Sequence, residues 1–174
     1  MTAGAAPEFS RVIPLMRLGS EPHRVEIGAT ETERAALAKR FDLVSLDLLS
    51  AEIELVRRAG GTFLLRASFT AAFEQSCIVT LEPVAGAVSE IFELLYGPPD
   101  DDAAALDTVS ADDIAFEPLQ ADAIDVGEAV AQEFSLALPP FPRRPDADLD
   151  TEMPPQERET SPFAALSELV DRGG

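Results

Sequence analysis

The most regular alternation of apolar and polar side chains runs through residues 51–73. Ala51, Ile53 and Leu55 are spaced by Glu52 and Glu54, and Phe63, Leu65, Ala67, Phe69, Ala71 and Phe73 take every second position beyond. A period of two puts one set of side chains on one face of a strand. Gly60-Gly61 between the runs supplies the positive φ angles of a tight connection, so the pair reads as a β-hairpin. Leu46 and Leu48 stand in the opposite phase from Ala51 and Ile53, which a bulge near Leu49 reconciles.

Other elements flank this hairpin. Phe9–Leu18 reads as a first strand, with Pro14 suited to an edge. His23–Ala29 alternates with Val25 and Ile27 inward and Arg24 and Glu26 outward. Thr30-x-x-Glu33 is a capping-box pattern. It opens a helix over residues 31–41 with Ala35, Leu37 and Phe41 toward the core. Cys77–Leu81 and Val88–Tyr96 read as two further strands around a turn at Pro83–Gly86. Asp100–Asp113 reads as an acidic loop, and Ile114–Leu119 as a short edge strand because it contains Pro118. Asp125-x-x-Glu128 repeats the capping pattern, with Val126, Val130, Phe134 and Ala137 on one helical face before Leu138-Pro139-Pro140 ends it.

These elements predict an α+β domain over residues 9–142. Its centre is a curved antiparallel sheet of five to seven strands, open to partial closure as a barrel, with two covering helices. Residues 1–8 read as a frayed end and 143–160 as a Pro-rich charged linker. Residues 161–174 read as a tail with a short amphipathic helix, in which Ser161 and Pro162 fit the cap and first position. Phe163, Leu166 and Leu169 or Val170 make its stripe.

Charge changes the picture more than composition does. The 174 residues include 46% hydrophobic positions, enough for a packed core. The net charge is −19, and residues 67–142 carry 15 acidic side chains with no lysine or arginine. Such a stretch repels a nucleic-acid backbone and attracts a basic protein. No run approaches the ~20 apolar residues that span a bilayer. The N-terminal residues lack a signal-peptide pattern, so a cytoplasmic protein is expected.

Candidate chemistry is sparse. His23 is the only histidine and Cys77 the only cysteine. A nucleophile needs a base beside it, and a thiolate metal site needs several cysteines. Cys77 therefore reads as a buried, inert thiol. Asp100-Asp101-Asp102 lacks calcium-loop spacing, and Asp122 and Asp125 suit a helix start. No Gly-rich phosphate loop occurs. No catalytic residue, metal site or cofactor is expected. Two groups of cations remain as candidate RNA contacts: Arg11, Arg17 and Arg24 near the N-terminus, and Arg57, Arg58 and Arg66 around the hairpin turn. Phe141-Pro142-Arg143-Arg144 can dock a partner or tie the linker to the domain.

Three segments together resemble one family. They are Cys77-Ile78-Val79-Thr80-Leu81-Glu82-Pro83-Val84, then Ile124-Asp125-Val126-Gly127-Glu128 running into Leu136-Ala137-Leu138-Pro139-Pro140-Phe141-Pro142, and Ser161-Pro162-Phe163-Ala164-Ala165-Leu166. In this order they resemble the bacterial YceD family, the large ribosomal RNA subunit accumulation proteins, in an alphaproteobacterial-like form. The resemblance implies a role in accumulating large-subunit rRNA. Many members carry Cys-x-x-Cys at the first segment, which has suggested metal or nucleic-acid binding. Here Thr80 stands at the second cysteine position, so a thiolate zinc site does not carry over.

Charge and resemblance together lead to the expectation of a non-enzymatic ribosome-assembly factor. Its acidic surface would hold a basic ribosomal protein or assembly factor, with Phe141, Arg143, Arg144, Phe163 and Leu166 as contacts. The alternative is a direct RNA-binding module using the two arginine groups.

Overall fold

A computed structural model describes residues 7–98, 114–119 and 121–147. Met1–Arg144 and Pro145–Gly174 form separate units, and the first contains every element below. The expected acidic loop at 100–113, most of the linker and the helix with Phe163 and Leu166 lie outside the described residues.

The alternating runs form the centre of the fold. Strands β2 (His23–Gly28), β3 (Ser45–Arg57), β4 (Phe63–Ser76), β5 (Pro83–Gly97) and β6 (Ala115–Pro118) make one sheet in the order β2-β3-β4-β5-β6. Gly60 and Gly61 take φ of 73° and 75° at the β3–β4 connection, the left-handed region glycine enters without strain. The β3–β4 register shifts between Leu46 and Leu48. This is the expected bulge, at Asp47, two residues before Leu49. It turns Leu46 and Leu49 into the core and leaves Leu48 outward.

Three expectations are corrected. The sheet is mixed, because β6 runs parallel to β5. A parallel neighbour needs a crossover of a dozen or more residues, and residues 98–114 supply that length. Cys77–Leu81 is a turn, and the expected turn at Pro83–Gly86 lies inside β5. Backbone hydrogen bonds from Leu81 N–H to the Cys77 carbonyl and from Cys77 N–H to the Glu82 carbonyl close that turn, with Leu81 at φ 62°. Ala35 faces solvent, and Ala38 packs inward beside Leu37. Among the described residues the strand order leaves β2 and β6 at the edges of the sheet.

Phe9–Leu18 forms only a short strand, β1 (Val12–Pro14), followed by a single 3-10 turn. β1 pairs antiparallel with β7 (Ala123–Asp125) in a separate two-stranded sheet. Helix α1 (Glu31–Arg40) carries the reciprocal Thr30–Glu33 capping box. Helix α2 (Val126–Ala137) starts at Asp125, whose carboxylate accepts from the Gly127 and Glu128 N–H groups. The second capping box is not reciprocal, because the Glu128 carboxylate binds Arg40 instead.

The core lies between one face of the large sheet and α2. Phe134 is fully buried and meets Phe41, Phe69 and Phe73 edge to face at 5.8, 6.4 and 5.6 Å. Such T-shaped pairs add to the burial free energy of the rings.

Candidate functional site

The arginines nominated for RNA do not gather on one surface. On the outer face of the sheet, Arg24, Glu54, Arg66 and Glu93 stand opposite one another across four strands. Arg24 pairs with Glu54 at 2.7 Å and Arg66 with Glu93 at 2.6 Å. Alternating signs directly opposite one another stabilise a sheet face and neutralise it. This ladder borders a groove of about 430 Å³ that also includes Glu26, Glu52, Ser68 and Ile91. Arg11 is held by Glu33 at 2.7 Å, which with the Thr30 cap draws the Glu33 carboxyl from its ordinary 4.5 down to about 2. Arg57 lies over the Phe63 ring and lines a cavity with Met16, next to exposed Arg17. Arg58 is exposed beside the turn. The hairpin end thus has Arg17, Arg57 and Arg58 without a carboxylate partner among the described residues.

The acidic stretch is also not a bare anionic side, which corrects the expectation from its sequence. Arginines outside that stretch fold back onto it: Arg40 pairs with Glu128 at 2.8 Å, Arg66 with Glu93, and Arg144 with Glu82 at 2.7 Å. Charge segregated along the chain is partly recombined in space by β-pairing and helix packing.

One acidic cluster survives this recombination. Glu90 on β5 and Glu117 on β6 lie near enough to Glu133 on α2 for their charges to act on it. Burial, then the charges of Glu90 and Glu117, push the Glu133 carboxyl above its ordinary value. Burial, then Glu117, Asp125 and Glu133, push the Tyr96 phenol up to about 12. Among the described residues no arginine or lysine pairs with these three glutamates. Beside them lies a cleft of about 290 Å³ between β6 and the start of α2, walled by Tyr96, Glu117, Asp125, Glu128 and Gln132. Sequence reading missed this trio because its members are 16 and 27 residues apart on three elements. Their only shared signal was membership of the stretch without basic residues.

The Cys77 turn forms a second small constellation. The thiol is inaccessible to solvent. A hydrogen bond to Thr80, then the Arg144 and Thr80 backbone amides, draws its pKa from 9.0 down to about 6. The same turn is pinned by Ile78 N–H to the Pro142 carbonyl at 3.0 Å and by the Arg144–Glu82 pair. The segment 141–144 is therefore tied to the domain, with Phe141 (75% exposed) and Arg143 facing outward. Among the described residues no three His, Cys, Asp or Glu side chains gather in metal-binding geometry. None of the described helices is long and apolar enough to cross a membrane.

Residues 65–170 match the family model described as "Large ribosomal RNA subunit accumulation protein YceD". The match takes in β4, β5, β6, β7 and α2, and with them the acidic cluster. The chain belongs to the YceD family. No curated protein and no solved structure matches it.

Proposed function

We propose that this chain is a non-enzymatic ribosome biogenesis factor of the cytoplasm. It supports accumulation of large-subunit rRNA by holding a basic ribosomal protein or assembly factor at its acidic cleft. Family membership supplies the process, as its name implies. The observation that carries the mechanism is that Glu90, Glu117 and Glu133 have no basic partner among the described residues, while burial and then the charges of Glu90 and Glu117 raise the Glu133 carboxyl. A partner's lysine or arginine would offset those charges, and the negative field would speed encounter. Exposed Phe141 and Arg143 offer additional contacts at the Cys77 end of the domain. Depleting the chain from cells tests the process. Loss of large-subunit rRNA and of free large subunits is expected, whereas normal rRNA and a normal subunit profile would refute it.

One observation favours a second reading, direct RNA contact. Arg17, Arg57 and Arg58 collect at the hairpin end with exposed Met16. This reading predicts that purified protein shifts rRNA fragments at ~50 mM salt, with affinity falling steeply as salt rises. Arg57→Glu with Arg58→Glu should abolish the shift, and unshifted fragments would exclude the reading.

A further inference from the structure

Among the described residues, one side of the longest strand of the sheet is largely without a partner strand. β5 pairs with β4 without a break from Ser76–Pro83 to Phe63–Tyr96, yet on its other side β6 covers only Leu94–Gly97. The direction of the uncovered backbone groups follows from one hydrogen bond. The Gly97 carbonyl accepts from the Leu119 N–H at 2.7 Å, on the side away from β4. In an antiparallel strand both backbone groups of a residue point to one side, and the side alternates. Counting back by twos along the unbroken register, Glu93, Ile91, Ser89, Ala87 and Ala85 aim their N–H and C=O groups at the open edge. The pairing with β6 begins at Leu94–Ala115 and takes up the Glu93 carbonyl, and among the described residues no strand pairs with Ala85–Phe92 on that side.

Protein edges of this length are usually blunted by lysine, proline, a bulge or a covering segment. Ala85–Glu93 has no lysine, proline or bulge. Of its outward-facing side chains, Ala85, Ala87 and Ser89 are small, Ile91 is 81% exposed, and Glu93 is held by Arg66. On the helix-facing side, Glu90 stands opposite Phe69 and shares the acidic cluster with Glu117 and Glu133.

We propose that the open β5 edge receives an extended basic peptide segment of a partner protein as an added strand. This rests on the acidic-partner reading above and names its geometry. The nine residues Ala85–Glu93 span roughly 27 Å at about 3.3 Å per residue, so the added strand lies end to end with β6. Main-chain bonds supply affinity, and alternate side chains supply specificity. Residues of the guest on the helix-facing side meet Glu90 and Glu133 and carry the cations. Those on the outer side meet Ile91 and are apolar. A second copy of the chain is disfavoured at this edge, because it brings another Glu90 and another charge of −19 to the same place.

The test uses the full chain and three end-blocked nine-residue peptides. One alternates Lys and Val, one replaces alternate Val by Pro, and one replaces Lys by Glu. Amide hydrogen exchange is read residue by residue. In the free chain the amides of Ala85, Ala87, Ser89, Ile91 and Glu93 exchange fast while their neighbours, bonded to β4, are protected. The Lys-Val peptide should slow those five at least about tenfold, and the other two peptides should not. Ala87→Pro removes one edge N–H and no β4 bond, and should weaken binding about tenfold or more. Should that variant fail to fold, Glu90→Gln with Glu133→Gln, which leaves the edge intact, should weaken the Lys-Val peptide severalfold. Protection of the five amides in the free chain would overturn the proposal. It would mean the edge is filled by this chain or, if protection depends on concentration, by a second copy. Equal binding of the Lys-Val and Pro-interrupted peptides would also overturn it, while leaving the acidic reading standing. No binding of either lysine peptide at low salt would remove both.

Discussion

Replacing Gly127 with alanine separates two opposed expectations in sign as well as size. Gly127 lies in the first turn of α2, where alanine has the higher intrinsic propensity by about 1 kcal/mol. On that ground alone Gly127→Ala should stabilise. The structure reverses the sign. A Cβ at this position would stand 2.6 Å from the Phe9 carbonyl oxygen and 2.9 Å from the Arg11 nitrogen, both backbone atoms. The N-terminal segment would have to move off the helix. Doing so strains three bonds: Arg11 N–H to Asp125 Oδ1 at 2.7 Å, the Ser10 hydroxyl to Asp125 Oδ2 at 2.6 Å, and Val126 N–H to the Arg11 carbonyl at 3.1 Å. Bonds to a carboxylate contribute about 1.5–3 kcal/mol each and neutral ones about 1. Partial loss of these, less the propensity gain, gives a destabilisation of about 3 kcal/mol. With a urea slope of about 2 kcal/mol/M, the midpoint should fall by about 1.5 M. Gly19→Ala is the control, since nothing lies within 4 Å of its Cβ, and it should stay within about 0.5 kcal/mol. A Gly127→Ala midpoint equal to or above wild type would refute the clasp between the N-terminal segment and α2.

Further outcomes follow from individual groups. Phe134→Ala should cost about 3–5 kcal/mol in urea unfolding, because a fully buried ring with three aromatic neighbours leaves a cavity; a cost under about 1 kcal/mol would mean that α2 is not anchored there. The folded-state Glu33 carboxyl lies below its unfolded value, so its contribution is complete above about pH 4.5 and is lost as pH falls through about 2; Arg11→Ala should flatten the stability profile in that window. Glu133 is shifted the other way, so its charge opposes folding as pH rises through its raised pKa; Glu133→Gln should raise the urea midpoint near neutrality and do little in acid. Thr80→Ala should move the Cys77 thiol back toward 9.0, read by thiolate ultraviolet absorbance; an unchanged midpoint would remove Thr80 as the principal cause.

What could be read in the sequence was local. The Phe63–Phe73 alternation, the Gly60-Gly61 connection and the Thr30–Glu33 cap each follow from a few neighbouring residues, and each stands as expected. The Cys77–Leu81 run misled because Cys, Ile and Val favour strands. Its fate was settled at a distance, by the Pro142 carbonyl and by Arg144 on Glu82. The parallel pairing of β6 depends on a long crossover that leaves no periodic trace. The site was the least legible part. Counting charge along the chain located an acidic stretch. Only the fold decides that Glu82, Glu93 and Glu128 are neutralised while Glu90, Glu117 and Glu133 have no basic partner among the described residues.

The most direct measurement is complementation in cells that lack the chain. Large-subunit rRNA is quantified after expressing either wild type or a variant with Glu90, Glu117 and Glu133 each replaced by lysine, at matched levels of folded protein. The charge-reversed variant should leave the rRNA at the level of the deletion, while Arg57→Glu with Arg58→Glu restores it. Full restoration by the triple lysine variant would contradict a role for the acidic cleft.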